Sequence, residues 1–325
     1  MYSYSIIEWL SFFYFYCFAG WCFESAYVSV KSRKLTNRGF MRGPFLPIYG
    51  SGAIMMLIVS MPFRGEAFRN MPAWCNIVLI YVAGCVGATV LEYVTGVAME
   101  ALFKVRYWDY SNQRFNFQGH ICLSSTLAWG FLTILMTEVV HVFVEGFVLS
   151  IPSQVLTVVT LVLTAVIFAD FALSFKAAID LRNVLIRMEQ AKQELVRIQK
   201  RLDVIIALTE EEIENRKEAL AESVSTAKDE FVGSMAELKT GIEGSLEKVK
   251  NMAQTKSAEY FEGVREEISE LKAKYTFQVE DRKRLSGLKD FFQRDLIRSN
   301  PGMTSARFRE ALEELKEKAA GGKKE

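Results

Sequence analysis

The 325-residue chain has almost no net charge, because 39 basic and 38 acidic side chains leave a formal +1. With no large excess of either sign and no long acidic or basic block, bulk electrostatics cannot hold a nucleic acid, and no nucleic-acid partner is expected. Cysteine and histidine are also scarce, with five and two copies. Cys17, Cys22, Cys75, Cys85 and Cys122 form no CxxC pair and no CxxC-to-His spacing, which argues against a disulfide framework or a structural zinc site. No GxxxxGK[ST] phosphate loop occurs anywhere, and no Ser-His-Asp or Cys-His spacing suggests nucleophilic catalysis. No cofactor and no metal are expected, and whether the chain is an enzyme stays open. A basic n-region is missing too: Met1-Tyr2-Ser3-Tyr4 runs straight into an apolar stretch too long for a signal peptide, so that stretch is expected to stay as an anchor.

What is present is divided sharply. The first 175 positions hold 10 basic and 9 acidic residues, and the last 150 hold 29 and 29. Crossing roughly 30 Å of hydrocarbon takes about 20 apolar residues. Five segments of the first part qualify, at about 5–30, 45–62, 74–103, 121–149 and 154–175, the second being the shortest. Without water each must satisfy its own backbone, so the expected fold is all-α: a polytopic helical membrane bundle of about five spans.

The connecting loops carry basic residues in alternation. Lys31, Arg33, Lys34, Arg38 and Arg42 follow the first span, Arg64 and Arg69 the second, Lys104, Arg106 and Arg114 the third, and none the fourth. The positive-inside rule then puts the first and third loops and the tail in the cytoplasm and the N-terminus outside, in a multi-pass protein of the plasma membrane. A re-entrant second segment would change that parity.

Beyond the membrane domain, 1–176, the expected divisions are a helical coiled-coil tail, 177–299, and a terminal amphipathic helix with a frayed end, 300–325. Leu181, Leu185, Met188, Leu195, Ile198, Leu202 and Ile205 make a heptad seam. Leu220, Val224, Ala227, Phe231, Met235, Leu238, Ile242, Leu246 and Val249 run closer to an 11-residue repeat. Either a dimer or a folded-back hairpin would bury these stripes, and a homo-oligomer through the tail is the expectation. Asn300-Pro301-Gly302 should stop the helix before a last one from about 304 to 319, with the Ala-Gly-Gly-Lys-Lys-Glu end frayed.

Two loops carry dense motifs. Asn37, Arg38 and Gly39 lead to Pro44, Pro47, Tyr49 and Gly50, too rich in proline and glycine for a continuous helix. The segment is either a tight turn that starts a helix or irregular backbone lining a wet cavity. Arg106, Trp108, Asp109, Tyr110 and Asn116 either belong to an interfacial aromatic belt or face the first loop across a vestibule.

Carboxylates inside spans cost at least a few kcal/mol and usually face a bundle interior or a water path. Glu24 lies in the first span, and Glu92 and Glu100 share a helix face with Gly96. With Asp109 they form either an acidic track open to the cytoplasm or simple ion pairs with Arg38, Arg42 or Arg106. Glu138 and His141 have the Glu-x-x-His spacing of carboxylate-bridged metal sites, with Glu145 four residues on, but His120 is the only other histidine, too few for a second such motif. Asp170 reads as interfacial.

Taken together, Glu24, the NRGFxxGPxxPIYGxG stretch from Asn37 to Gly52, Glu92-xxx-Gly96-xxx-Glu100, and WDYSxxxxN from Trp108 to Asn116, followed by Gly119 and Trp129-Gly130, resemble the type IV ABC-transporter permease family of bacterial membrane proteins. The resemblance covers roughly residues 5–175. It implies a permease component, with ATP hydrolysis supplied by a separate ATPase subunit. Two alternatives stay open: an enzyme acting on a lipid or lipid-linked headgroup, with Glu92 or Asp109 as base and Arg38 and Arg106 on a phosphate, and a membrane-anchored coiled-coil scaffold or sensor.

Overall fold

In the first 175 residues the long apolar runs become helices whose ends are set by local chemistry. The computed structural model describes residues 4–65, 68, 71–214, 235–254, 261–287 and 291–321. Met1 to Ser3, Arg69, Leu220, Val224, Ala227, Phe231, the side chain of Val249 and the chain end after Gly321 lie outside the described residues, together with what the sequence suggested for them.

Helix α1 is Ile6–Ser32, opened by a capping box in which Ser5 and Glu8 satisfy each other's backbone amides and closed by Arg33 in the left-handed region. Helix α2 is Pro47–Ser60, with proline at its first position, where the missing N–H costs nothing. A 3₁₀ turn, Met61–Arg64, follows it. Helix α3, Ala73–Phe103, ends on Lys104, again left-handed. A two-residue hairpin pairs β1, Asn116–Phe117, with β2, Ile121–Cys122. Helices α4, Leu123–Leu135, and α5, His141–Leu149, join through a π-helical turn, Met136–Val140. Helix α6 is Ser153–Glu214, with neither glycine nor proline along it to end it where the apolar run stops. Then come α7, Met235–Gln254, α8, Phe261–Ser286, α9, Phe291–Ser299, and α10, Arg309–Gly321.

Among the described residues, four helical runs are long and apolar enough to cross a membrane: Ile6–Ser32, Ala73–Phe103, Leu123–Leu149 and Ser153–Ala207. The fold is all-α, as the sequence indicates, but the second expected span, 45–62, is the 14-residue α2, which at 1.5 Å per residue covers only about 21 Å. Val, Phe and Leu side chains stand exposed along these runs, the expected surface of helices facing lipid.

Two compact units are present. The first is Met1–Arg182 with Asp290–Arg309 and Ala319–Glu325, and the second is Asn183–Lys289 with Glu310–Lys318. The core of the first gathers Phe12 and Tyr16 of α1, Ala53, Met56 and Leu57 of α2, Ala88 of α3, Val144 and Val148 of α5 and Leu156 of α6. Gly50 makes the α1–α2 approach possible, since a Cβ there would sit 2.7 Å from the Phe13 carbonyl.

In the second unit, Leu195, Ile198, Leu202 and Ile205 of α6 share one core with Met235, Leu238 and Ile242 of α7 and Leu271 of α8. This stretch of seam is buried against helices of its own chain. Helix α9 ends at Ser299, before Asn300-Pro301-Gly302. The last helix starts at Arg309 rather than near 304: Thr304 is paired as extended backbone, and the Ser305 hydroxyl accepts the Phe308 amide at 3.2 Å.

Candidate functional site

Both motif loops, 33–46 and 104–122, lie at one end of the first unit, and Arg38 joins them. Its Nη2 donates to the Tyr107 carbonyl at 3.3 Å, while its Nε lies 3.5 Å from Glu24. Tyr49, near the start of α2, donates to the other Glu24 oxygen at 2.7 Å. Asn37 shapes the loop, accepting from the Trp21 indole at 2.6 Å and donating to the Arg42 carbonyl at 2.7 Å. Gly39 has a φ of +142°, which a side chain rarely adopts. Pro44 follows Gly43, whose amide donates to Asp170 at 2.9 Å; Asp170 thus anchors the loop to α6. Pro47 opens α2, and Gly50 packs against α1.

The second loop is built around Arg106. Its guanidinium contacts Glu100 at 2.9 Å and Asp109 at 3.6 Å, and His120 reaches the same Glu100 oxygen at 3.1 Å. Trp108 donates its indole N–H to the His120 carbonyl at 3.0 Å. Asn116 closes the turn, donating to Ser111 and Gln113 carbonyls and accepting the Gly119 amide. Gly119 is obligatory: its φ is +73°, and a Cβ would sit 2.6 Å from Arg106 Nη1.

Asp109 accepts from the Ser111 amide at 2.9 Å and hydroxyl at 2.5 Å, and from the Thr304 hydroxyl at 3.2 Å. Burial pushes its carboxyl up, but those hydrogen bonds and the Arg106 charge outweigh burial and hold it below its ordinary value. Burial, with Glu92 nearby, pushes the Tyr110 phenol upward, so it stays a donor.

Glu92 differs from the other three carboxylates. It is 6% exposed and sits among neutral donors: Tyr110 at 2.9 Å, Trp129 at 2.9 Å and Ser125 at 3.4 Å. Among the described residues no lysine or arginine pairs with it. Glu24, Glu100 and Asp109 each pair with an arginine, so simple ion pairing accounts for them and leaves Glu92 apart.

The structure thus brings together Glu24, Arg38 and Tyr49 as one group, Glu92 and Tyr110 as a second, and Glu100, Arg106, Asp109 and His120 as a third. Glu138 and His141 do not converge: Glu138 pairs with Arg64 at 2.6 Å, while His141 sits between the hydroxyls of Tyr4 and Tyr16. Sequence reasoning missed Ser25, whose hydroxyl accepts the Arg38 amide at 3.1 Å, and also Tyr107, Ser125, Asn300 and Thr304. Ser125 falls one turn before Trp129, inside the resemblance; the other four show no motif of their own.

Comparison with known proteins gives one family match: a model described as "Putative ABC-transporter type IV" matches residues 11–175. No curated protein and no solved structure matches the chain.

Proposed function

The chain belongs to the type IV ABC-transporter family, and from that membership we propose that it is a permease-like component with a polar site at its loop end. Family and apolar helices make it a transporter-like membrane protein. Its site comprises the Glu24–Arg38–Tyr49 group and the Glu92–Tyr110 pair, together with Glu100, Arg106, Trp108, Asp109 and Asn116. The excess of Lys and Arg in both loops favours a cytoplasmic setting for this end, with the N-terminus outside. In this reading ATP hydrolysis would come from a separate ATPase subunit, the partner that the family membership suggests. A homo-oligomer would use surfaces other than the stretch of seam already buried against α7 and α8.

The observation that carries this reading is Glu92: a carboxylate in an apolar helix, held by neutral donors and facing α4 and the second loop. In the lipid-enzyme alternative Asp109 can serve as base, yet both its oxygens are engaged, by Ser111, Arg106 and Thr304, which counts against that role. The test is solute flux in proteoliposomes holding the full chain and its ATPase partner, wild type against Glu92→Gln. Loss of flux in the variant supports the site; equal flux in both removes Glu92 from it.

A further inference from the structure

Residues 299–305 return to the two motif loops, with Thr304 and Asp109 in contact although 195 positions apart. The Arg106 amide donates to the Thr304 carbonyl at 2.7 Å, and the Thr304 amide donates back at 2.9 Å, an isolated antiparallel bridge. Ser305 donates its hydroxyl to the Lys104 carbonyl at 2.8 Å. Asn300 is read at both ends of its amide: it donates to the Gly39 carbonyl at 2.8 Å and accepts from Arg38 at 3.0 Å. Arg38 also donates to the Ser299 carbonyl at 3.3 Å. Between these polar contacts Met303 is fully buried.

Main-chain pairing that gives affinity, together with side-chain contacts that give selectivity, is how proteins bind an extended peptide at an exposed strand edge. Here the occupant lies outside the region that matches the family, and the surface lies inside it. Were the segment to leave, Arg38 Nη1, the Gly39 and Lys104 carbonyls and both backbone groups of Arg106 would lose their partners. Each of these groups would then have to pair with water, and the occupant that restores all of the pairings at once is a second extended segment.

We propose that the two loops form a docking surface for an extended polypeptide carrying an Asn-x-x-Met-Thr-Ser pattern, that Ser299–Ser305 fills it in cis, and that the filled state closes Arg38 and Arg106 to other ligands. The proposal does not depend on what, if anything, the protein transports.

The test uses the full chain in nanodiscs and an isotopically labelled synthetic peptide of residues 296–308. Saturating peptide should speed hydrogen exchange of the chain's own 299–305 segment by about tenfold or more. Exchange in residues 104–110 should stay unchanged, because the peptide replaces the lost pairing. A peptide carrying Asn300→Ala and Thr304→Pro should have no effect. No response at millimolar peptide, equal responses to both peptides, or faster exchange in both segments would each overturn the proposal. A second measurement uses the same two substitutions in the chain, which should tighten labelled-peptide binding about tenfold or more. Unchanged binding by a folded variant also overturns it, and should that variant not fold, the wild-type competition decides alone.

Discussion

Arg38 donates one guanidinium N–H to the main-chain oxygen of Tyr107 at 3.3 Å, so a side chain of the first loop holds the backbone of the second. The same planar group lies 3.5 Å from Glu24 and donates to Ser299 and Asn300. One cation therefore ties together α1, both loops and the returning segment. A flat fork with several fixed donors can serve partners in different directions, which a single ammonium cannot.

Arg38→Lys should therefore be costly although it keeps the charge. Lysine can retain the Glu24 pair but not the fork to Tyr107, Ser299 and Asn300, and losing such bonds costs about 1–3 kcal/mol. Hydrogen exchange in 104–110 and 299–305 should rise together, with a lower thermal midpoint for the full chain in detergent. Unchanged protection in both segments would show that Arg38 does not couple them.

The Asp109–Thr304 contact should give the returning segment a dependence on acid. Asp109 is held below its ordinary carboxyl value in the fold, so its contribution is complete above the unfolded pKa, about 3.9. It is lost as pH falls below that value and through the lower folded one, when Ser111, Thr304 and Arg106 lose their charged acceptor. Protease sensitivity of residues 291–321 should be flat from pH 8 to about pH 5 and rise below about pH 4. Asp109→Asn should remove the part of this rise that Asp109 causes; an identical acid profile in the variant would exclude it as the titrating group.

Much of this arrangement was legible in the sequence, because hydrocarbon imposes a length on every span and the basic loops alternate. The meeting of Arg38 with the Arg106 loop follows from that alternation, which puts both loops on one side. The short α2 was visible as the weakest segment, but the apolar run does not show that helix begins only at Pro47. The return of Asn300 and Thr304 left no trace. Asn300-Pro301-Gly302 reads as a local stop, and a single bridge with a few side-chain bonds to carbonyls has no period. The apolar stripe of α6 was plain, yet periodicity says only that a stripe is buried, not whether another chain or α7 and α8 covers it.

Within the second unit, Arg282 of α8 offers the sharpest test of what holds the charged helices together. Its side chain is 5% exposed; it donates to the Met188 carbonyl at 2.7 Å and pairs with Glu314 at 2.8 Å, tying α6, α8 and α10 to one group. Burial pushes the Glu314 carboxyl up, and the Arg282 charge with Lys318 reverses this and holds it down. Removing the arginine leaves Glu314 with Lys318 alone at 3.1 Å and takes the donor from the Met188 carbonyl, so Arg282→Met should destabilise the unit by about 1–3 kcal/mol. Adding Glu314→Gln to Arg282→Met should recover part of the loss, because the half-buried carboxylate that has lost its arginine is then neutral. The measurement is a double-mutant cycle on the full chain, read from hydrogen exchange in residues 265–286. Strict additivity would mean that the two side chains do not interact and that the Met188 bond alone accounts for the arginine.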